Sequence, residues 1–173
     1  MESIQIQDVQ PEDTAVLDAL MRHVVMASLR LENIELAEVL ENVQQNLYWA
    51  QANASSVVHL KCTHGARIVG VILVKNFWNL CSLFIDLEYQ HRGIGRVLLT
   101  AAIERCTPRN DRGYIKVNSA PEAVQFYKGL GFSIVADAPR RGSSQPMLLR
   151  LGSLASGIVV NDIGYLIARD HGS

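Results

Sequence analysis

The sequence predicts a single-domain α/β chain of the α+β kind: a mixed, mostly antiparallel sheet flanked by helices, in the order β-α-α-β-β-β-α-β-α-β-β. Three observations carry that prediction. Apolar, strand-like runs crowd together between Val57 and Asp86, tightly enough for an antiparallel meander. Segments with apolar residues at helical spacing precede and follow them. A glycine-bearing turn, Gln90-His91-Arg92-Gly93-Ile94-Gly95-Arg96, joins the last run to a helical segment.

Each element has its own signal. Ile4-Gln5-Ile6-Gln7 alternates as a half-buried strand does. Pro11-Glu12-Asp13-Thr14 opens a helix, with proline and acids in the first turn, and Val16, Leu20, Val24 and Ala27 are its expected stripe. A second helix starts near Asn33 with Leu36, Leu40, Val43 and Leu47 on one face, and the small, polar stretch Ala50 to Ser55 reads as a loop. Strands follow over Val57 to Cys62, Arg67 to Lys75 and Trp78 to Asp86, the first two joined by a turn over Thr63 to Ala66. Ile94, Val97, Leu98, Ala101 and Ala102 define a helix ending near Cys106, and Tyr114 to Val117 is a short strand. Ser119-Ala120-Pro121-Glu122 matches a capping box for a helix bearing Val124, Tyr127 and Leu130, stopped by Gly131. Phe132 to Ala136 and Met147 to Leu151 are the last strands of a domain expected over residues 1–151. The extension over residues 152–173 is apolar and carries two short strands around Asn161-Asp162, expected to add to a sheet edge or to pair between protomers of a homodimer.

Bulk properties exclude several classes. With 49% hydrophobic and 19% charged residues the chain can build a core, so it is not a disordered polypeptide. A net charge of -1 argues against a broad nucleic-acid footprint, so phosphate binding is expected to be local. Cys62, Cys81 and Cys106 show neither disulfide nor metal-ligand spacing, so reduced thiols and no metal are expected. Met1 to Gln5 lacks the basic-then-apolar pattern of a signal peptide, and no apolar run is long enough to span a bilayer. A cytoplasmic protein without membrane contact is the expectation.

The glycine turn carries the first chemical hint. The leading N–H groups of a helix lack intrahelical partners and sit at the positive end of its dipole, and glycines let that backbone approach a phosphate. A Gly-x-Gly before a helix is also an ordinary tight turn, so its context decides. Here it follows the third strand of a meander rather than the first strand of a parallel unit, which disfavours dinucleotide binding. Downstream lies Ala123-Val124-Gln125-Phe126-Tyr127-Lys128-Gly129-Leu130-Gly131-Phe132.

With these two motifs the chain resembles the GNAT superfamily of acyl-CoA-dependent N-acetyltransferases. Gln90, Gly93 and Gly95 match the (Gln/Arg)-x-x-Gly-x-(Gly/Ala) signature, and Ala123 to Phe132 match Ala-x-x-Phe-Tyr-x-x-Leu-Gly-Phe. Gly70, inside the second meander strand, fits the same family pattern. The resemblance covers residues 4 to 151 and implies acetyl-CoA as co-substrate and an amine as acceptor. It implies that the backbone of His91, Arg92, Gly93, Ile94, Gly95 and Arg96, after Gln90, holds the CoA pyrophosphate. It implies that Leu83, Phe84 and Ile85 pair with the pantetheine arm and present an amide to the thioester carbonyl, as an oxyanion hole does. Tyr127 matches the family tyrosine that protonates the departing thiolate, a task open to a group of pKa ~10.

Other residues are less telling. Many members carry an asparagine seven residues before the tyrosine, where this chain has Ala120. The third meander strand has no acid before Asp86, which reads as a brace for the turn, so no general base is named. His23, His59 and His64 titrate in the right range but read as surface or core histidines. Cys81 reads as a small buried hydrophobe rather than a nucleophile. Arg140-Arg141 suits either an acidic acceptor or a phosphate as well as it suits solvent, and the acceptor walls are expected over Ser28 to Leu36 and Asp137 to Pro146. A weakly active acyl-CoA sensor or scaffold is the competing expectation.

Overall fold

The computed structural model describes residues 3–28, 33–140, 142–152, 158–160 and 166–168. The described elements are β1 (Ile4–Asp8), α1 (Thr14–Ser28), α2 (Asn33–Ala52), β2 (Val57–His64), β3 (Arg67–Lys75), β4 (Asn79–Ile85), α3 (Ile94–Cys106), β5 (Tyr114–Ser119), α4 (Val124–Gly129), β6 (Ser133–Ile134) and β7 (Gln145–Arg150). They form one seven-stranded sheet in the order β1-β2-β3-β4-β5-β7-β6. All neighbours are antiparallel except β4 and β5, which run parallel. Two further strands, β8 (Ile158–Val160) and β9 (Leu166–Ala168), pair with each other in a separate two-stranded sheet. The Asn161-Asp162 turn expected between them lies outside the described residues, as does Arg141.

The sheet separates two cores. On one face, α3 and α4 bury Leu98, Leu99, Ala102, Ile103, Tyr127 and Leu130 against Leu60, Val69, Ile72, Leu80, Ile115 and Val117. On the other, Leu17, Met21 and Val25 of α1 and Val43 and Leu47 of α2 close over Val71, with Ile68 and Phe84 packed alongside. Burial on both faces is why β3 reads as a near-continuous apolar run rather than an alternating one.

Several boundaries differ from expectation for identifiable reasons. The stripe of α1 is set by Leu17, Leu20, Met21, Val24 and Val25, while Val16 is 52% exposed. The expected loop from Ala50 is helix as far as Ala52, because Ala50 packs at 2% exposure. Thr63 and His64 extend β2 past the expected turn. The capping box does not form: the Ser119 hydroxyl donates to the Ala120 carbonyl at 2.8 Å, and Ala120 caps a 3₁₀ turn that begins at Pro121. The stop after α4 is as expected. Gly131 takes φ 94°, and the N–H groups of Phe132 and Gly131 reach the carbonyls of Tyr127 and Lys128, each at 3.1 Å. That stop cuts β6 to Ser133–Ile134.

Acid should loosen the α1 side first. Lys61 of β2 donates to Asp13 at 2.6 Å, and the Gln10 N–H adds a bond at 2.7 Å. Burial works against the Asp13 charge, yet these partners hold its pKa below the ordinary value. Burial lowers His59 from 6.5 to about 4, with Asp13 opposing. A folded pKa below the unfolded one means that protonation opposes folding. The His59 contribution is therefore intact above pH 6.5 and is lost as the pH falls toward about 4. At ~1.4 kcal/mol per unit the loss is at most roughly 3 kcal/mol, since the ring keeps some exposure. Urea midpoints measured across this window should fall for the wild type and stay flatter for His59→Gln; parallel profiles would refute the assignment.

Candidate active site

The central sheet opens beside β4. Parallel pairing with β5 is limited to Asn79↔Lys116 and Leu80↔Val117. Beyond it, β5 stays with β7 through Ser119↔Gln145, while β4 follows β3 as far as Gly70↔Ile85. The departure begins at a bulge: Leu73 pairs with Ser82 and Val74 with Leu80, which leaves Cys81 without a partner on β3. Leu83, Phe84 and Ile85 are consequently only half-buried although their strand is central. The Asp86 N–H turns to the Val69 carbonyl at 2.9 Å. Alternation then points the peptide groups of Ile85 and Leu83 away from β3, into the opening. The Ile85 carbonyl there accepts a bond from Gln90 Nε2 at 3.1 Å.

The turn after β4 is built to expose backbone donors. Asp86 caps it by accepting from the Glu88 N–H at 3.0 Å. Its other oxygen accepts from Arg67 at 2.8 Å, and Arg67 also bonds Glu88 at 2.8 Å. His91 adopts φ 62° and Gly93, the residue before α3, adopts φ 82°, a left-handed conformation that glycine enters without strain. No side chain caps α3 and no acid sits in its first turn, so its leading N–H groups face outward at the positive end of the dipole. A Cβ at Gly95 would lie 3.4 Å from the Phe126 ring, so glycine here lets α4 close against α3. Gly70 does the same below: a Cβ would stand 2.9 Å from both Leu98 and Ile85.

Tyr89 organises the flank. Its hydroxyl lies 3.0 Å from His64 Nδ1, and the Arg67 and Arg92 guanidinium carbons sit 5.3 and 5.2 Å from its ring centroid. The sequence singled out Asp86, Arg92 and His64 separately but not the cluster they form. Its only signal is the β3–β4 register, which brings Arg67 to the end of β4. Asp86→Ala should raise the KM for the anionic co-substrate about tenfold with kcat within about twofold, since the loss of a bond to a charged group is worth ~1.5–3 kcal/mol. An unchanged KM would show that the turn holds its shape without the brace.

Tyr127 is 6% exposed, with Phe126 and Phe132 edge-on at 5.2 and 5.3 Å. Burial raises its pKa well above the ordinary tyrosine value, so it stays protonated near neutrality. Its hydroxyl has no hydrogen-bond partner among the described residues. It is not among the fully buried unsatisfied atoms either, which are Asp18 Oδ1 and Thr100 Oγ1, so it keeps accessible surface. Burial also raises the Cys81 thiol against the pull of Lys75, and the thiol donates to the Asn79 carbonyl at 3.3 Å. Such a thiol is a poor nucleophile. Ala120 offers no side-chain hydrogen bond, and Asn118 pairs across to Pro146 and is exposed. Arg140 donates to Gln145 at 2.6 Å. The described residues hold no His, Cys, Asp and Glu group fit for a metal ion, and no described helix is long and apolar enough to cross a membrane.

Residues 25–144, well over half of the chain, match the family model of the acetyltransferase (GNAT) domain. A GCN5-related N-acetyltransferase from Rhodopseudomonas palustris overlays with TM-score 0.71 at 18% identity, covering 87% of this chain and 98% of its own. The PaiA N-acetyltransferase from Thermoplasma acidophilum, solved with coenzyme A, gives TM-score 0.68 at 19% identity over 86% and 99%. YncA from Salmonella typhimurium, solved with acetyl-CoA, gives 0.64 at 16% over 86% and 94%. At these identities the likeness is one of fold. No curated protein sequence matches the chain.

Proposed function

The chain belongs to the GNAT acetyltransferase family, and from that premise we propose that it transfers an acetyl group from acetyl-CoA directly to the amine of a small molecule or protein. The observation that carries this reading is the opening beside β4, where a central strand leaves Leu83, Phe84 and Ile85 half-buried. An extended pantetheine arm fits there as an added strand, its amides meeting the peptide groups that β5 leaves unpaired. The outward N–H groups of the His91 to Arg96 turn suit the pyrophosphate, and PaiA and YncA, of the same fold, were solved with CoA and acetyl-CoA.

The chemistry then divides among the chain's own groups. A β4 amide facing the opening polarises the thioester carbonyl where negative charge develops. Tyr127, which burial holds protonated, supplies a proton to the departing sulfur. Gln90 fixes the direction of the Ile85 carbonyl, and Asp86 and Arg67 hold the turn. We read residues 1–151 as the transferase domain, and residues 152–173 as an addition to a sheet edge or a contact between protomers.

A second reading is a GNAT domain that binds acyl-CoA as a sensor or scaffold with little turnover. Ala120, with no side chain to offer the pantetheine, and a β4 without an acid favour it. Release of free thiol from acetyl-CoA across a panel of amines separates the two. Amine-dependent release supports transfer; tight CoA binding with no release for any amine supports the sensor.

A further inference from the structure

If the chain transfers acetyl groups to amines, the acceptor must lose a proton before it attacks, and no acid stands on β4 between Asn79 and Ile85 to take it. The Tyr127 hydroxyl and the Cys81 thiol are unsuited, because burial keeps both protonated. One polar group at that place is unaccounted for. Ser82 is 5% exposed, yet its hydroxyl bonds to no described residue and is not fully sealed from solvent. A buried hydroxyl left without a partner calls for a water or a substrate atom.

Its placement points to the acceptor rather than the donor. Leu83 and Ile85 pack on the α3 side, whereas Phe84 packs under α1 and α2, and alternation puts Ser82 on the Phe84 side. It adjoins the bulge, where Cys81 has no partner on β3, so peptide groups freed from the ladder lie next to the hydroxyl. Together they supply the polar contacts that one ordered water needs.

His59 and Leu73 complete the row His59–Leu73–Ser82 across the sheet, with His59 roughly 10 Å from Ser82. Lys75, one row down, is held by Asn46 at 2.6 Å and lies over the Trp49 ring. The buried face of α2, Val43, Asn46, Leu47 and Ala50, brings no charge. On the same sheet face Lys61, one row up, is tied to Asp13 at 2.6 Å, and Lys116 stands beside Asn79. Helix α1, which also packs on β4, brings Asp18 and Arg22, paired at 3.0 Å. The lysines favour a neutral amine over an ammonium.

We infer that Ser82 is a positioning residue that holds the water through which the acceptor ammonium gives up its proton. One proton passes through that water to solvent, and the neutral amine forms the N–C bond as the C–S bond breaks. The thiolate takes the Tyr127 proton, and Tyr127 regains one from the nitrogen, so the products are amide, free thiol and one released proton. This role rests on the transfer reading.

The test compares wild type, Ser82→Ala and Ser82→Thr with any alkylamine that the panel accepts, across pH. Ser82→Ala should lower kcat/KM for the amine on the order of a hundredfold below the amine's own pKa. The deficit should shrink toward none as the pH passes that pKa, with the KM for acetyl-CoA unchanged and Ser82→Thr restoring the rate. A deficit equal at every pH, or none at any, overturns the role of Ser82 while leaving transfer intact. Wild type that releases no thiol with any amine refutes the transfer reading itself, and this role with it.

Discussion

Tyr127→Phe should cut kcat by about a hundredfold or more while the KM for acetyl-CoA moves less than about twofold, the pattern for a proton given only in the transition state. The substitution removes one oxygen and leaves the ring, so the edge contacts with Phe126 and Phe132 remain. It breaks no hydrogen bond in the fold, because the hydroxyl has none to a described residue. Stability should hold steady or rise slightly, since a desolvated, unpartnered hydroxyl is an unfavourable group to bury. Steady-state kinetics paired with a thermal melt separates the cases. Unchanged turnover would remove Tyr127 from the chemistry, and a fall in stability that tracks the fall in rate would make it a packing residue.

Leu98→Ala should cost roughly 3 kcal/mol and lower the melting temperature by about 6–12 °C. Leu98 is 0% exposed, and its methyl group fills the space that Gly70 leaves open. Nothing next to it can collapse into the void, because Ile72 on β3 and Leu99 on α3 are themselves fully buried. The consequence reaches the site: α3 rests on this contact, and its first turn carries the outward N–H groups. A loss below about 1 kcal/mol in urea titration would mean that the helix resettles without it.

Most of the architecture could be read from residues because α3, β3 and the Gly131 stop carry strong local patterns. The misjudged places are those where packing overrode composition. Ala50 looked like loop and is core, and Ser119 looked like a cap while Pro121 starts the turn one residue later. The site divided in the same way. Tyr127 and the glycine turn stand in local motifs. Apart from Asp86, read from its place at the turn, the Arg67–Asp86–Glu88–Tyr89–His64 brace has no local signature, because β2, β3 and the end of β4 meet only through the sheet register. The Cys81 bulge is equally silent, since no residue type announces the extra position.

The two cores share no residue, and the sheet alone stands between them. Substitutions among Leu17, Met21, Val43 and Leu47 should therefore add to those around Leu98 and Leu130 rather than compound them. A chain built this way is divided for inheritance. On the proposed reading, the α1–α2 side can drift toward new acceptors, one substitution at a time, while the face that seats α3 and the glycine turn is passed on unaltered.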